Sequence, residues 1–305
     1  MEYETPNNLY HYCSLSTFCN IIKNKSIWAT DIERSNDFLE LVALRQLFTK
    51  TINFDLNRKN EYFISTGNQH EAAKVRTMQQ VFNDQIRTAF TKNFVFCLSE
   101  EKDLLSQWRG YADDAQGIAI GFRKDFFDRF NSLNALNQSK LPVGFVFDKI
   151  TYDENTAKQY ILEQIEHFKL DSCQDVDNYR DILKNVMAKV SSDAPFYKID
   201  AFKEENEWRL VITYFLSGLP NQDFEVFKNE YFTLNKINYY SSSNQLRAYI
   251  EISIPQLTSA ISEIIIGPKC KESIVDIKHF LICMEILKDI NDTSIKITKS
   301  RASYR

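Results

Sequence analysis

The chain has 305 residues, 44% of them hydrophobic and 26% charged, which is enough apolar content for a large core. A net charge of −4 gives no overall basic field toward nucleic acid or membrane. Only seven glycines occur, and GxGxxG, GxxxxGK[ST] and GxSxG are all missing, which argues against a dinucleotide cradle, a P-loop and a nucleophile elbow. Six scattered cysteines and four dispersed histidines argue against a disulfide frame and a metal site. The opening MEYETPNNLYHY is not a signal peptide, and no apolar run is long enough for a membrane span, so the expected compartment is the cytoplasm.

Leu9–Ser14 reads as a short aromatic strand. Leu15–Lys25 reads as a helix capped by Ser14 or Ser16, with Phe18, Ile21 and Ile22 on its apolar face. Ile27–Ala29 is a second short strand. Asp37 and Glu40 have capping-box spacing for a helix to about Phe48. Asn53–Thr66 is polar and loop-like, and Gln69–Thr91 is a second helix. Phe94–Leu98 is a continuous apolar run, a strand buried on both faces. Ser99 then caps a helix that carries Glu100, Glu101 and Asp103 in its first turn and Leu104, Leu105, Trp108 and Tyr111 at helical spacing. Asp113, Asp114 and Gly117 make a turn into a buried strand, Ile118–Phe122.

Asp125–Phe130 is a short helix, Asn131–Leu141 a polar loop, and Val143–Tyr152 a strand with Val143, Phe145 and Phe147 on one face. Glu154–Val190 reads as two helices broken near Asp171–Asp175. Trp208–Phe215 is a strong strand, Gly218–Pro220 a turn, and Phe224–Tyr240 a hairpin-like region. Arg247–Ile254 and Ile264–Ile266 are strands, Lys271–Leu287 is an amphipathic helix, and Ile295–Arg305 is a basic strand. No repeat or linker divides the chain. The expected fold class is α+β: one domain over 1–305 with a mixed central sheet and helical insertions at about 37–91 and 154–190.

Three constellations stand out. In Glu205-Asn206-Glu207-Trp208-Arg209, strand alternation places Glu205, Glu207 and Arg209 on one face, with the two carboxylates about 7 Å apart. Such a pair divides labour, one group held ionised and the other shifted upward, which suits a reaction through an oxocarbenium-like sugar cation. The bland alternative is a structural Glu207–Arg209 salt bridge with Glu205 solvated. Tyr10-His11-Tyr12 offers a ribose or carboxamide contact flanked by rings that stack on a flat ligand, against the alternative of a satisfied core histidine. Ser99, Gln107, Arg109 and Tyr111 sit where the strand–helix–strand unit opens toward a pocket, with Trp108 read as core.

The blocks LYHYCSLSTFCNIIKNKSIWATDIERSND, FCLSEEKDLLSQWRGYADDAQGIAIGF, FKEENEWRLV, EIIIGPK and KSRASYR together resemble, in order, a bacterial family of unknown function, domain-of-unknown-function family 2971. That label implies an association with mobile elements and antiviral defence. The order His11, Ser99 or Tyr111, then Glu205-x-Glu207 also resembles the three motifs of ADP-ribosyltransferase-like proteins. This second resemblance implies an ADP-ribosyltransferase-like fold with NAD as co-substrate and no metal. It makes His11 the ribose and nicotinamide contact, Tyr111 a ring-stacking residue, Glu207 the stabiliser of the oxocarbenium ion and Glu205 the orienter of the acceptor. Tyr10, Tyr12, Ser14, Ser99, Trp108, Arg109 and Arg209 complete the expected nucleotide-binding set. The expected function is transfer or release of ADP-ribose as a defence or toxin effector, with a nucleic acid or protein as acceptor. The alternatives are a non-catalytic nucleotide- or partner-binding module and a nucleic-acid enzyme using the same sugar chemistry.

Overall fold

The run at Thr91–Ser99 has to be covered on both faces, and alternate residues are. Phe94, Phe96 and Leu98 enter one hydrophobic cluster, whereas Val95 enters another with Cys97 packed against it. The structure, a computed structural model, describes residues 6–34, 38–86, 91–136, 143–215, 227–242 and 244–304. Its elements are β1 (Asn8–Cys13), α1 (Leu15–Asn24), β2 (Ser26–Asp31), α2 (Phe38–Ser65), α3 (Gln69–Gln85), β3 (Thr91–Ser99), α4 (Leu105–Tyr111), β4 (Ile118–Arg123), α5 (Lys124–Leu136) and β5 (Val143–Lys149). There follow α6 (Glu154–His167), α7 (Val176–Asp193), β6 (Glu207–Phe215), β7 (Phe227–Lys228), β8 (Thr233–Ser242), β9 (Gln245–Ser253), α8 (Leu257–Ala260), β10 (Ile261–Ile266), α9 (Ile274–Cys283) and β11 (Lys296–Lys299).

The class is α+β. The 11-stranded sheet runs β11-β10-β4-β1-β3-β2-β9-β8-β7, and β6 adds to β3 with β5 beyond it. It is mixed, because β10 and β11 are parallel while the other pairings are antiparallel. Helices cover both faces. Phe18, Ile21 and Ile22 of α1, Phe126, Phe127 and Phe130 of α5, and Ile277 and Leu281 of α9 close one side. Side chains of α2, α3, α6 and α7 close the other around Val95 and Val211. No helix among the described residues is long and apolar enough to cross a membrane.

The sheet forks at β3. One edge of β3 pairs with β6 along its whole length, from Thr91↔Phe215 to Ser99↔Glu207. On the other edge β1 meets it only at Tyr10↔Ser99, and β2 only at Thr30↔Val95 and Asp31↔Phe94. Beyond those points β1 continues into β4 and β2 into β9, so the two strands part opposite Phe96–Leu98.

Several expectations change. Asn53–Thr66 is not a loop, because α2 continues to Ser65, carried by Leu44, Phe48, Ile52 and Leu56 buried at every fourth position. Ser99 does not cap a helix. It ends β3, its Oγ accepts from Glu101 N, and α4 starts only at Leu105. The last helix is shorter than Lys271–Leu287, starting after a capping box of Ser273 and Asp276. Of the basic terminal strand, only Lys296–Lys299 pairs. The capping position Asp37 and the Gly218–Pro220 turn lie outside the described residues.

The turn after α4 fixes that helix against the sheet. Asp113, Asp114 and Ala115 all have positive φ, and Gly117 follows within close reach of β1. A Cβ on Gly117 would lie 2.0 Å from the carbonyl oxygen of Cys13. Gly267 N and Lys269 N donate to the carbonyls of Gly117 and Ala115, tying the turn to the end of β10. Gly117→Ala is expected to cost about 1–3 kcal/mol or more, since backbone must move to admit the methyl group. A thermal melt checks this, and an unchanged midpoint would contradict it.

Candidate active site

β1, β3 and β6 are neighbours, and their registers bring the three motif segments into one row. Ser99 faces Tyr10 on one side and Glu207 on the other. Glu205 is not on the strand. It ends a 3-10 turn, Asp200–Glu205, and Asn206 reverses the chain in a left-handed conformation at φ 42° before β6 begins at Glu207. The turn is held by Glu100 N donating to Asn206 O at 3.0 Å and by Asn206 Nδ2 donating to Glu101 Oε1 at 2.9 Å. Ser99 Oγ donates to the Glu205 carbonyl at 2.6 Å. The two glutamates therefore converge through a turn, while strand alternation places only Glu207 and Arg209 on a shared face.

Lys198 joins the carboxylates. Its Nζ donates to Glu205 Oε2 at 2.6 Å and to Glu207 Oε2 at 3.1 Å. Arg209 holds Glu207 from two directions, Nε to Oε1 at 2.6 Å and Nη2 to Oε2 at 3.0 Å. A third guanidinium bond, Nη1 to the Pro195 carbonyl at 2.8 Å, fixes Arg209 itself. Glu205 Oε1 accepts from the Tyr111 hydroxyl at 3.1 Å. Arg209 is 1% exposed, Glu207 5% and Glu205 8%, so this network is buried. Glu205 is thus not solvated, contrary to the bland expectation, and the Glu207–Arg209 bridge of that same expectation is present.

Burial pushes the Glu207 carboxyl up, but the Arg209 and Lys198 charges outweigh it and hold the group below the usual glutamate range. Glu205 moves the other way. Burial raises it, the Lys198 contact opposes this in part, and the Glu207 charge adds to the rise. One carboxylate is a fixed anion, and its neighbour binds a proton more readily than a free glutamate.

A cavity of about 60 Å³ opens beside the pair, lined among others by His11, Gln107 and Tyr111. His11 stacks on Phe96 with ring centroids 4.4 Å apart, and its Nδ1 lies 3.0 Å from the Cys97 carbonyl. A carbonyl only accepts, so Nδ1 carries the proton and Nε2 is left as an acceptor. Burial lowers the His11 pKa, which keeps the ring neutral. Tyr10 and Tyr12 point to the opposite face of β1, into the cluster around Trp108. Their hydroxyls are engaged, Tyr10 with Glu263 and Tyr12 with the Glu101 carbonyl. Ser14 is the N-cap of α1, accepting from Thr17 N. Trp108 is fully buried and donates to Asp103. Arg109 lies over the Tyr304 ring, away from the carboxylates. Tyr111, at the end of α4, is 41% exposed. The cavity thus gathers His11, Ser99, Tyr111, Glu205 and Glu207, with Tyr10 and Tyr12 also in its wall, whereas Ser14, Trp108, Arg109 and Arg209 do not line it.

Lys198 was not singled out from the sequence. Its signal is a lone lysine in the apolar stretch Phe196-Tyr197-Lys198-Ile199. Asp103 was read as a helix-dipole acid. It instead accepts from Trp108 Nε1, Ser300 Oγ and Arg301 N, strapping the terminal segment onto α4. Lys269 pairs with Asp114, which also accepts from Tyr304. Among the described residues no group of three or more His, Cys, Asp or Glu is arranged to hold a metal ion.

Residues 107–210, from Gln107 in α4 to Leu210 in β6, match the family model described as Protein of unknown function (DUF2971). The match spans about a third of the chain, and it includes Tyr111, Lys198, Glu205, Glu207 and Arg209 while leaving out His11 and Ser99. No curated protein and no solved structure matches the chain, so the comparisons offer no link to ADP-ribosyltransferases.

Glu207→Gln leaves Arg209 buried without its anion and is expected to destabilise the fold by about 3–5 kcal/mol, measured by chemical denaturation. Glu205 contributes a pH dependence of known sign. The folded state holds its proton more tightly than the unfolded state, so wild-type stability falls as pH rises from the usual glutamate range through the raised value. Glu205→Gln removes this term. The melting temperature of the variant minus that of wild type should therefore rise with pH across that window, and a signed difference that falls with pH would contradict the shift.

Proposed function

We propose that the fork cleft is the active centre of a glycosyl-transferring enzyme that breaks the nicotinamide–ribose bond of NAD. The observation that carries this reading is the unequal carboxylate pair, Glu207 fixed as an anion and Glu205 with raised proton affinity, beside a small cavity. Support also comes from the row formed by β1, β3 and β6, which sets His11, Ser99 and Glu207 on adjacent strands in the order the ADP-ribosyltransferase-like reading requires. A sheet forked at its middle strand, with the cleft at the fork, is compatible with such a fold.

In this reading the bond between the ribose C1′ and the nicotinamide nitrogen breaks heterolytically, and the electron pair leaves with neutral nicotinamide. The sugar cation that remains is met by the negative side of the pair. Glu205 takes the proton of the attacking hydroxyl, amine or water, a role that a raised proton affinity favours. Glu207 is the counter-charge that Arg209 and Lys198 hold in place. His11 Nε2 accepts from a ribose hydroxyl, and Gln107, 6% exposed in the cavity wall, offers a carboxamide to the amide of the leaving ring. A defence or toxin role rests on the resemblance of the sequence blocks alone.

One observation favours a second reading, a non-catalytic binding module: both oxygens of Glu207 are occupied by cations, as in a purely structural bridge. Because Glu207→Gln should destabilise the protein on either reading, Glu205→Gln is the variant that separates them. Purified protein incubated with NAD is expected to release nicotinamide, with at least a hundredfold loss in Glu205→Gln at an unchanged fold. No release by wild type, together with no shift of its melting temperature by NAD, would leave the binding module.

A further inference from the structure

The cleft does not end at the carboxylates. A second cavity of about 490 Å³ shares His11, Cys97 and Tyr111 with the first and runs outward between the parted strands β1 and β2. Its outer wall follows from strand alternation. Ile27, Ala29, Ile250 and Ile252 turn into the core, which leaves Trp28, Arg247 and Tyr249 on the other face of β2 and β9. Trp28 stacks on Tyr249 at 4.0 Å with Tyr240 at 5.8 Å, yet the indole keeps 39% exposure. Arg247 lies directly opposite Tyr240 in the β8–β9 ladder, and both line the cavity.

An aromatic cluster by itself would be ordinary sheet packing. Arg247 adds what packing does not explain. Its Nε is buried and meets no hydrogen-bond acceptor among the described residues. A guanidinium donor left unmet beside an open ring, in a cleft of this size, suits an anion attached to a flat heterocycle.

We propose that the outer half of the cleft binds a nucleotide unit, its base against Trp28 and its phosphate at Arg247. The assignment of this unit to the reaction rests on the proposed function, but its binding does not. A base with a phosphate has two sources, the distal nucleotide of the dinucleotide substrate or a residue of a single-stranded nucleic-acid acceptor. Base stacking is tolerant of sequence and the phosphate contact is salt-sensitive, so either source would bind more weakly as salt rises.

The test is tryptophan fluorescence and calorimetry on the full chain, titrated with AMP, NAD and an eight-nucleotide single-stranded DNA. Trp108 is fully buried and the Trp208 indole is bonded to Glu100, so Trp28 is the reporter, and Trp28→Phe verifies the assignment while keeping a ring on Tyr249. Quenching is expected, with at least tenfold weaker binding in Arg247→Gln and in Trp28→Leu. AMP displaced by NAD would identify the dinucleotide as the source; oligonucleotide that stays bound in the presence of NAD would identify the acceptor, and both outcomes support the site. No binding by any of the three ligands, or binding unchanged in both variants, would overturn it. Nicotinamide release in the same samples keeps the two ideas separate. Release without binding at Trp28 sinks only this site, and binding without release sinks only the proposed reaction.

Discussion

Two acids and two bases share a space at the start of β6 that water barely enters. Glu205, Glu207, Lys198 and Arg209 carry formal charges that cancel, and each is at most 8% exposed. Moving any one of them from water costs several kcal/mol, which only close mutual contacts offset. The remaining local geometry serves those contacts. The Pro195 carbonyl orients the guanidinium, the Tyr152 hydroxyl accepts from Glu207 N, and the left-handed turn at Asn206 swings Glu205 back toward Lys198. A cluster that is neutral as a whole but uneven within can give one member a raised proton affinity without a net buried charge.

The fork makes this cluster accessible. A continuous sheet would have sealed the edge of β3 with a full partner strand. Because β1 and β2 each touch β3 for only one or two residues, the carbonyl of Cys97 faces the gap, and the His11 ring supplies a donor that a neighbouring strand would otherwise give. The same bond that satisfies the backbone also selects the His11 tautomer. The helices of 38–85 and 154–193 stay on one face, where they back β3 and β6 and carry the chain to Pro195 and Lys198.

Much of the sheet was legible in the sequence, because period-two burial and continuous apolar runs mark β3, β4, β5, β6 and β10 directly. The spacing of Leu44, Phe48, Ile52 and Leu56 was equally present, yet the polar residues between them hid a helix that tertiary packing stabilises. The acidic pair was legible as a pair, but its geometry was not. A strand reading put Glu205 beside Glu207 by alternation, whereas a left-handed asparagine brings them together. Lys198 was missed because its partners are recognisable only after β6 has been placed, and Ser99 looked like a cap because a serine after an apolar run and before acids satisfies that local rule. Residues whose role depends on one element are readable in sequence. Residues whose role depends on the meeting of β1, β3 and β6 are not.

That meeting also dates the site within the life of the chain. Tyr10 finds Ser99 across 89 positions, and Ser99 finds Glu207 across 108 more, while the outer wall of the cleft waits for β9. Contacts this distant form late, since each closes a long loop before any return. A ribosome-bound chain that stops before residue 205 has β1 and β3 but neither carboxylate, and one that stops between residues 208 and 244 has the carboxylates but no β9 to finish the cleft. The inner and outer halves of the cleft are therefore completed at different times, the inner with β6 and the outer only with β9.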